Sequence, residues 1–395
     1  MKPLITGVGA VPVRRQLERS ARDTATAVAL QAIGDAGLEP GEIDGLFVTP
    51  PGLSGPPGFM WSCAFAHHLG LTTKAQALVE CGGMTAALAL RSALDAVTLG
   101  RSRAALVVAL DARVVDVPEN PEDVMGFVEN AVVGLVGLYG PYDALFGVGA
   151  PIPYYAMCAQ RYLFEHQATE EDLARVAVTL RANAVDNPLA EHRKPITVAD
   201  VLASRPVSPP LKRLDCSTFS SGAAAVVVTA EPLSRRSKGP PVAVTGIGEH
   251  HVPAHFGDRR ASWTRFESAE SAARQAFSEA GRTPGDVDLA ELYGVFTATE
   301  LILYEDLGFF PKGEAARAVR EGLTSGRGRT MMNPSGGRLS LGHPAGATPL
   351  YAAVEVVQQL RGACGPRQVA GAKVGLVHAE HGMLDGSFVA ILEGA

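Results

Sequence analysis

Residues 31–44 read QAIGDAGLEPGEID, and residues 275–288 read QAFSEAGRTPGDVD. Seven of these fourteen positions are identical without a gap, so the chain carries an internal repeat. The repeat extends outward on both sides. Before each copy stands an apolar segment, LITGVG at 4–9 and VAVTGIG at 242–248, expected to be a strand ending in a glycine turn. Gly7-Val8-Gly9 lacks a full dinucleotide fingerprint, so no nucleotide loop is read there. Helices are expected over Asp23–Ala36 and Glu267–Ala280, where apolar residues recur at helical spacing. Gly37 and Gly281 stand where a left-handed helix end favours glycine, and Pro40 and Pro284 follow. Strands Gly45–Thr49 and Leu289–Tyr293 come next. Further on, a helix over Gly83–Leu99 and a strand over Ala104–Leu110 match a helix over Ala345–Leu360 and a strand over Val374–Val377.

Strands alternating with helices of this length predict mostly parallel sheets covered by helices. Alanine-rich helices allow the close approach that a helix buried between two sheets needs. The chain therefore reads as two α/β halves, 1–238 and 239–395, joined at Ser-Arg-Arg-Ser-Lys-Gly-Pro-Pro (234–241). The first half carries an insertion at about 112–205. Its Gly/Pro/Tyr-rich loop (137–155) is followed by helices near Tyr154–His166 and Glu170–Val185. An insertion of this kind covers a site, or serves as a surface excursion or subunit contact.

Composition excludes several classes. Of 395 residues, 47% are hydrophobic and 19% charged, enough for a large core and too apolar for a disordered chain. A net charge of −6 with no basic-aromatic stripe argues against a nucleic-acid partner. Apolar runs fall short of the roughly 20 residues a membrane span needs. Met1 to Val11 lacks a charged region with a cleavage site, so no signal peptide is expected. The five cysteines are scattered and include no Cys-x-x-Cys pair, which points to a reducing cytoplasm without a disulfide framework or zinc site.

Three segments then set the family: 187–228, from NPLAEHRKPITV to SSGAAAVVV; ELYGVFTATELILYEDLGF at 291–309; and NPSGGRLSLGHPAGAT at 333–348. With the duplication, these resemble the thiolase superfamily, in its sterol-carrier and lipid-transfer-type branch, across essentially the whole chain. The resemblance implies a five-layer αβαβα fold, a homodimer and acyl-CoA thioester substrates, with no covalently bound cofactor and no metal. It also raises a small OB-fold, zinc-ribbon partner, without which the chain would be an inactive subunit.

His343 lies in Gly342-His343-Pro344, a corner that holds an imidazole rigidly enough to move protons or to donate to a thioester oxyanion. It matches the family's Gly-His-Pro histidine. His378, expected at the end of the last apolar strand, matches the family's acid/base for the α-carbon proton. The following residues Ala379, Glu380 and His381 replace the family's glycine-rich turn before Gly382. Glu380 is expected to raise a nearby imidazole or to face solvent. His381 is a further candidate, and Gly382 a candidate oxyanion donor. Asn333 and Gly83 are candidate substrate-binding or oxyanion positions. Tyr293 stands where the family has Asn or His, and a phenol there can donate to an oxyanion or relay a hydroxyl proton. The family's following Asp is Gly294 here, so that polar partner is expected to be missing.

The nucleophile decides the chemistry. A family cysteine begins the buried helix, 17 positions before the glycine ending it; the same interval back from Gly100 falls on Gly83, and Arg91 matches eight positions further. Cys81 is two positions off. Along an extended lead-in this moves a thiol about 6–7 Å, too far to serve the same oxyanion hole. With Gly83 in place of the thiol, acyl-enzyme chemistry is lost. Oxyanion stabilisation and proton transfer remain, which suffice for retro-aldol cleavage beside a thioester. Lipid-transfer-type aldolases of the family share the glycine and the tyrosine; the retained Gly-His-Pro is the thiolase-like state. The alternative is a true thiolase or C-acyltransferase using Cys81.

Secondary features read more plainly. His250, His251 and His255 are expected to be surface histidines. Trp61, Cys63, His67 and His68, in a segment flanked by Gly and Pro, are expected at a pocket, at an interface or in the core. Asp215 to Ala223 reads as a buried strand lead-in, with Ser221 in place of a family Asp.

Overall fold

The computed structural model describes residues 2–52, 60–112, 151–253, 262–382 and 384–394. His255, residues 55–59 and the loop portion 137–150 lie outside them. In the first half the strands are β1 (Pro3–Ala10), β2 (Gly45–Val48), β3 (Ala75–Leu78), β4 (Ala104–Asp111), the small pair β5 (Pro206–Ser208) and β6 (Leu211–Lys212), and β7 (Gly222–Ala230). In the second they are β8 (Val242–His251), β9 (Leu289–Glu291), β10 (Met331–Met332), β11 (Val374–Glu380) and β12 (Gly386–Gly394). The longer helices are α1 (Ala21–Asp35), α2 (Trp61–His68), α3 (Thr85–Thr98), α4 (Ile152–Glu165), α5 (Glu170–Ala184), α6 (Glu267–Ala280), α7 (Thr297–Asp306) and α8 (Thr348–Leu360). Among the described residues no helix is long and apolar enough to cross a membrane.

The strand order is β10-β9-β11-β12-β8-β1-β7-β4-β2-β3. Read outward from the middle, each side repeats one order and one set of directions. β1, β7 and β4 pair antiparallel in turn, then β4, β2 and β3 pair parallel. β8, β12 and β11 pair antiparallel, then β11, β9 and β10 pair parallel. Each half is thus a mixed sheet, which corrects the expectation of mostly parallel ones. The halves meet along β1 and β8 through two residue pairs, Leu4 with Ala243 and Ile5 with Val242. The half boundary proposed at 238/239 falls in the connection just before β8.

Helices α3 and α8 touch each other and lie between the two half-sheets, while α1 covers β1 and β7 and α6 covers β8 and β12. This gives helix, sheet, helix pair, sheet, helix. The inner helices are deeply buried; α8 buries eleven of its thirteen residues, Glu355 and Gln359 among them.

Gly7-Val8-Gly9 and Gly246-Ile247-Gly248 are not turns, as the sequence suggested; both lie inside strands. A Cβ on Gly7 would stand 2.0 Å from the Ala32 carbonyl oxygen, and one on Gly248 1.8 Å from that of Ala272. Glycine is required because α1 and α6 cross their strands backbone to backbone.

Candidate active site

The two inner helices open with short helical turns, Gly82–Met84 before α3 and Ala345–Ala347 before α8. These openings face each other across the centre of the molecule, and each is pinned by a strand end. The Gly346 amide donates to Asp111 at the end of β4 (3.2 Å), and the Gly83 amide donates to the His381 carbonyl just past β11 (2.8 Å). The first α-helical residue is Thr85 rather than Gly83, the preceding turn being tighter. The Gly83 amide is consumed by His381, which corrects its expected use as an oxyanion donor.

His343 precedes the second opening. Gly342 adopts φ +103°, and a Cβ there would meet Val13, Ser220 and Glu191 within 3.0 Å, so the corner admits only glycine. The His343 amide donates to the Ser220 hydroxyl (3.3 Å), and its ring stacks on Phe219 at 5.4 Å. Its Nε2 lies 2.8 Å from the Tyr293 hydroxyl.

Tyr293 lies two residues beyond β9, which ends at Glu291 rather than at Tyr293. Side chains replace the ladder there. The Leu292 amide donates to Asn333 Oδ1 (2.7 Å) and the Tyr293 amide to His378 Nδ1 (3.3 Å). Burial, reinforced by the Glu380 carboxylate, holds the Tyr293 hydroxyl well above the ordinary phenol range. It is therefore a phenol at neutral pH.

The phenol occupies a particular space. A Cβ on Gly83 would stand 2.5 Å from Tyr293 Oη and 2.3 Å from the Glu380 carbonyl oxygen. A side chain at the position that register assigns to the nucleophile has no room. The same device recurs one residue along the chain. A Cβ on Gly294 would stand 2.2 Å from Glu300 Oε1. The polar partner expected to be missing at Gly294 is thus supplied by Glu300, six residues on in α7. Burial pushes the Glu300 carboxyl up to about 8, so it is mostly protonated at neutral pH.

Cys81 immediately precedes this helix opening, and its amide donates to the Thr85 hydroxyl (2.8 Å). Burial, then the charges of Glu80, Glu249 and Asp385, push the thiol up from its ordinary value, the reverse of what an activated nucleophile needs.

His378 lies inside β11, which runs on to Glu380; the expectation that it ends the strand is corrected. With Nδ1 accepting from Tyr293, the ring takes the Nε2–H tautomer toward Ser387 (3.4 Å). Burial drives its pKa down to about 3, so it stays neutral. Glu380 is buried, not solvent-facing: its Oε1 accepts from the Tyr155 hydroxyl (2.6 Å) and the Leu384 amide (2.7 Å). His381 is partly exposed, and its Nδ1 lies 2.7 Å from Asp385 Oδ2, which raises its pKa. Gly382 adopts φ +122° with open space beside it. Asn333 is fully buried, its amide donating to Glu300 Oε2 (2.8 Å). Its two side-chain bonds go to the Leu292 amide and to Glu300.

Four side chains of this cluster are not evident from sequence: Tyr155, from the insertion helix α4, and Asp111, Glu300 and Asp385. Among the second group of residues, Cys216 bridges to Phe296 and Phe219 to His343, so the strand lead-in threads the site wall. Trp61 stacks on Phe65 in α2, and Cys63 is exposed. Among the described residues no cluster of three metal-ligating side chains occurs.

Comparison with known proteins agrees with this architecture. Residues 248–394 match the family "Thiolase C-terminal domain-like". The chain is 36% identical to an acetyl-CoA acetyltransferase of Methanothermobacter thermautotrophicus, over 95% of this chain and 94% of that one. It is 31% identical to sterol carrier protein 2 of Bos taurus, over 80% of this chain and 58% of that one. Among solved structures, the Ltp2-ChsH2(DUF35) aldolase superposes with a TM-score of 0.85 at 28% identity, covering 100% of this chain and 98% of that one. The chain belongs to the thiolase superfamily, as a sterol-carrier-protein-2-like member. It is an acyl-CoA enzyme of that superfamily.

Proposed function

We propose that the chain cleaves or forms a C–C bond beside a CoA thioester by retro-aldol chemistry, without an acyl-enzyme. The observation that carries this reading is the filled nucleophile slot, where Tyr293 Oη stands 2.5 Å from any Cβ on Gly83. The likeness to a solved aldolase at 28% identity supports it.

The Tyr293–His343 pair supplies the base. The substrate's β-hydroxyl proton passes to Tyr293 Oη as Tyr293 passes its own proton to His343 Nε2. The Cα–Cβ bond then breaks, its electron pair forming the thioester enolate while the β-carbon becomes a carbonyl. Protonation of the enolate leaves a shortened acyl-CoA, and deprotonation of His343 restores the pair. His378 positions the Tyr293 backbone in this scheme, and the Glu380 carboxylate helps keep the phenol protonated. Gly382 offers the remaining backbone donor for the enolate oxygen. No covalently held cofactor and no metal enters.

Incubation with 3-hydroxyacyl-CoAs of varied chain should release a carbonyl compound and a shortened acyl-CoA, and His343→Ala should stop this. A second reading, C-acyl transfer through Cys81, is favoured by the 36% identity to an acetyl-CoA acetyltransferase. An acetyl adduct on the intact protein that disappears in Cys81→Ala would establish it and sink the first.

We further propose that the chain works as a homodimer and with a small OB-fold, zinc-ribbon partner; the pairing of Ltp2 with ChsH2(DUF35) in the name of the aldolase it resembles supports the partner. Light scattering and co-expression test both. The five free cysteines support a reducing, cytoplasmic setting.

A further inference from the structure

We propose that His381, oriented by Asp385, carries the proton to and from the α-carbon of the bound thioester. The inference deepens the acyl-CoA reading above and rests on it for the substrate class.

The start of the inner helix is built from two glycines whose missing side chains are replaced by two rings. At Gly83 the space is taken by Tyr293. At Gly82, which adopts φ +50°, a Cβ would lie 2.6 Å from His381 Cδ2 and 3.0 Å from its Nε2. The phenol and this imidazole therefore border consecutive residues at the same helix opening. The backbone of His381 is fixed there, because its carbonyl accepts the Gly83 amide at 2.8 Å.

Asp385 orders the ring. With Nδ1 committed to its carboxylate at 2.7 Å, Nε2 is the working nitrogen, and among the described residues it makes no hydrogen bond. In His378 both nitrogens already have partners, the Tyr293 amide beyond β9 at Nδ1 and the Ser387 hydroxyl of β12 at Nε2, so we assign the part to His381. The groups facing His381 are Glu80 from the lead-in to α3, Glu380 from β11, Asp385, and His251 from β8, which shares with it the space beside Gly386. Three of these are carboxylates, so the imidazolium is stabilised and the imidazole remains a competent base above its pKa.

The step is a proton transfer without redox change. Nε2 takes an α-proton, the C–H electron pair moves into the thioester as an enolate, and the same nitrogen returns a proton to that carbon. In the cleavage direction, C–C scission creates the enolate and His381 delivers the proton.

Propionyl-CoA in D2O is the probe, with α-deuterium uptake followed by mass spectrometry. Wild-type protein should exchange the α-protons, and His381→Ala and His381→Gln should each slow exchange by about 10²-fold or more. Free imidazole should restore part of the rate to His381→Ala. Asp385→Asn should shift the pH midpoint of exchange downward, a displacement that a merely structural role would not produce. Exchange that persists in both His381 variants, or that wild-type protein never shows, overturns the inference. Exchange dependent on His381 without cleavage of any 3-hydroxyacyl-CoA upholds it and sinks the retro-aldol reading. Cleavage without such exchange does the opposite.

Discussion

The hydroxyl of Tyr293 and the bare Cα of Gly83 are complementary: a Cβ on the glycine would sit 2.5 Å from the phenol oxygen. Each residue makes the other possible. Gly83→Ala should therefore destabilise the protein by about 1–3 kcal/mol, as overpacking of a closed core does. In a Tyr293→Ala background the penalty should shrink without vanishing, because the Glu380 carbonyl stays 2.3 Å away. A double-mutant cycle on denaturant unfolding measures this coupling. Additive effects would mean that the phenol does not fill the slot.

Tyr293→Phe removes only the oxygen that meets His343 at 2.8 Å. Its hydroxyl is internal and needs no solvent, so the fold should persist. The rate of C–C cleavage should fall by about 10²–10⁴-fold, the usual worth of a positioned acid or base. Steady-state kinetics on a 3-hydroxyacyl-CoA check this, with kcat carrying the loss. An unchanged kcat would remove Tyr293 from the chemistry.

The Cys81 thiol is held up by burial and neighbouring carboxylates, so little thiolate exists at neutral pH. Cys81→Ala should leave cleavage unchanged, and iodoacetamide should label native Cys81 more slowly than the exposed Cys63. Peptide mapping after timed alkylation reads both sites. Preferential labelling of Cys81 would contradict the assignment.

Burial lifts the Glu300 carboxyl from 4.5 to about 8. An acid with a raised folded pKa keeps its proton in the folded state longer than in the unfolded one. Its contribution to stability is therefore complete below about 4.5 and is lost as pH climbs to about 8. Glu300→Gln, a neutral mimic of the protonated form, should melt close to wild type near pH 5 and above it near pH 9. Thermal unfolding across that range decides, and a difference that does not vary with pH would show that Glu300 is not the titrating group.

The duplication was legible because QAIGDAGLEPGEID and QAFSEAGRTPGDVD share helix-ending glycines and the same turn chemistry. Both left-handed glycines are where they were expected, Gly37 at φ +68° and Gly281 at φ +61°. Counting back from Gly100 singles out Gly83, although the α-helix itself begins at Thr85. What could not be read was the identity of the neighbour that fills each gap. Glycine announces a missing side chain without saying what stands there. Tyr155 reaches Glu380 across 225 positions, and no local pattern encodes such a contact. Gly7 and Gly9 were misread for the same reason, since a turn and a close helix crossing both ask for glycine.

The seam between β1 and β8 divides labour unevenly. Tyr293, His343, His378 and His381 all come from the second copy of the repeat, while the first contributes Gly83, Asp111 and the Tyr155 that reaches across to them. On the proposed function, the symmetry of the repeat is broken by specialisation: one copy carries the proposed reactive groups and the other shapes the floor beneath them. In a saturation mutagenesis screen, folded but inert variants should cluster after residue 239, whereas damage in the earlier copy should register as lost protein.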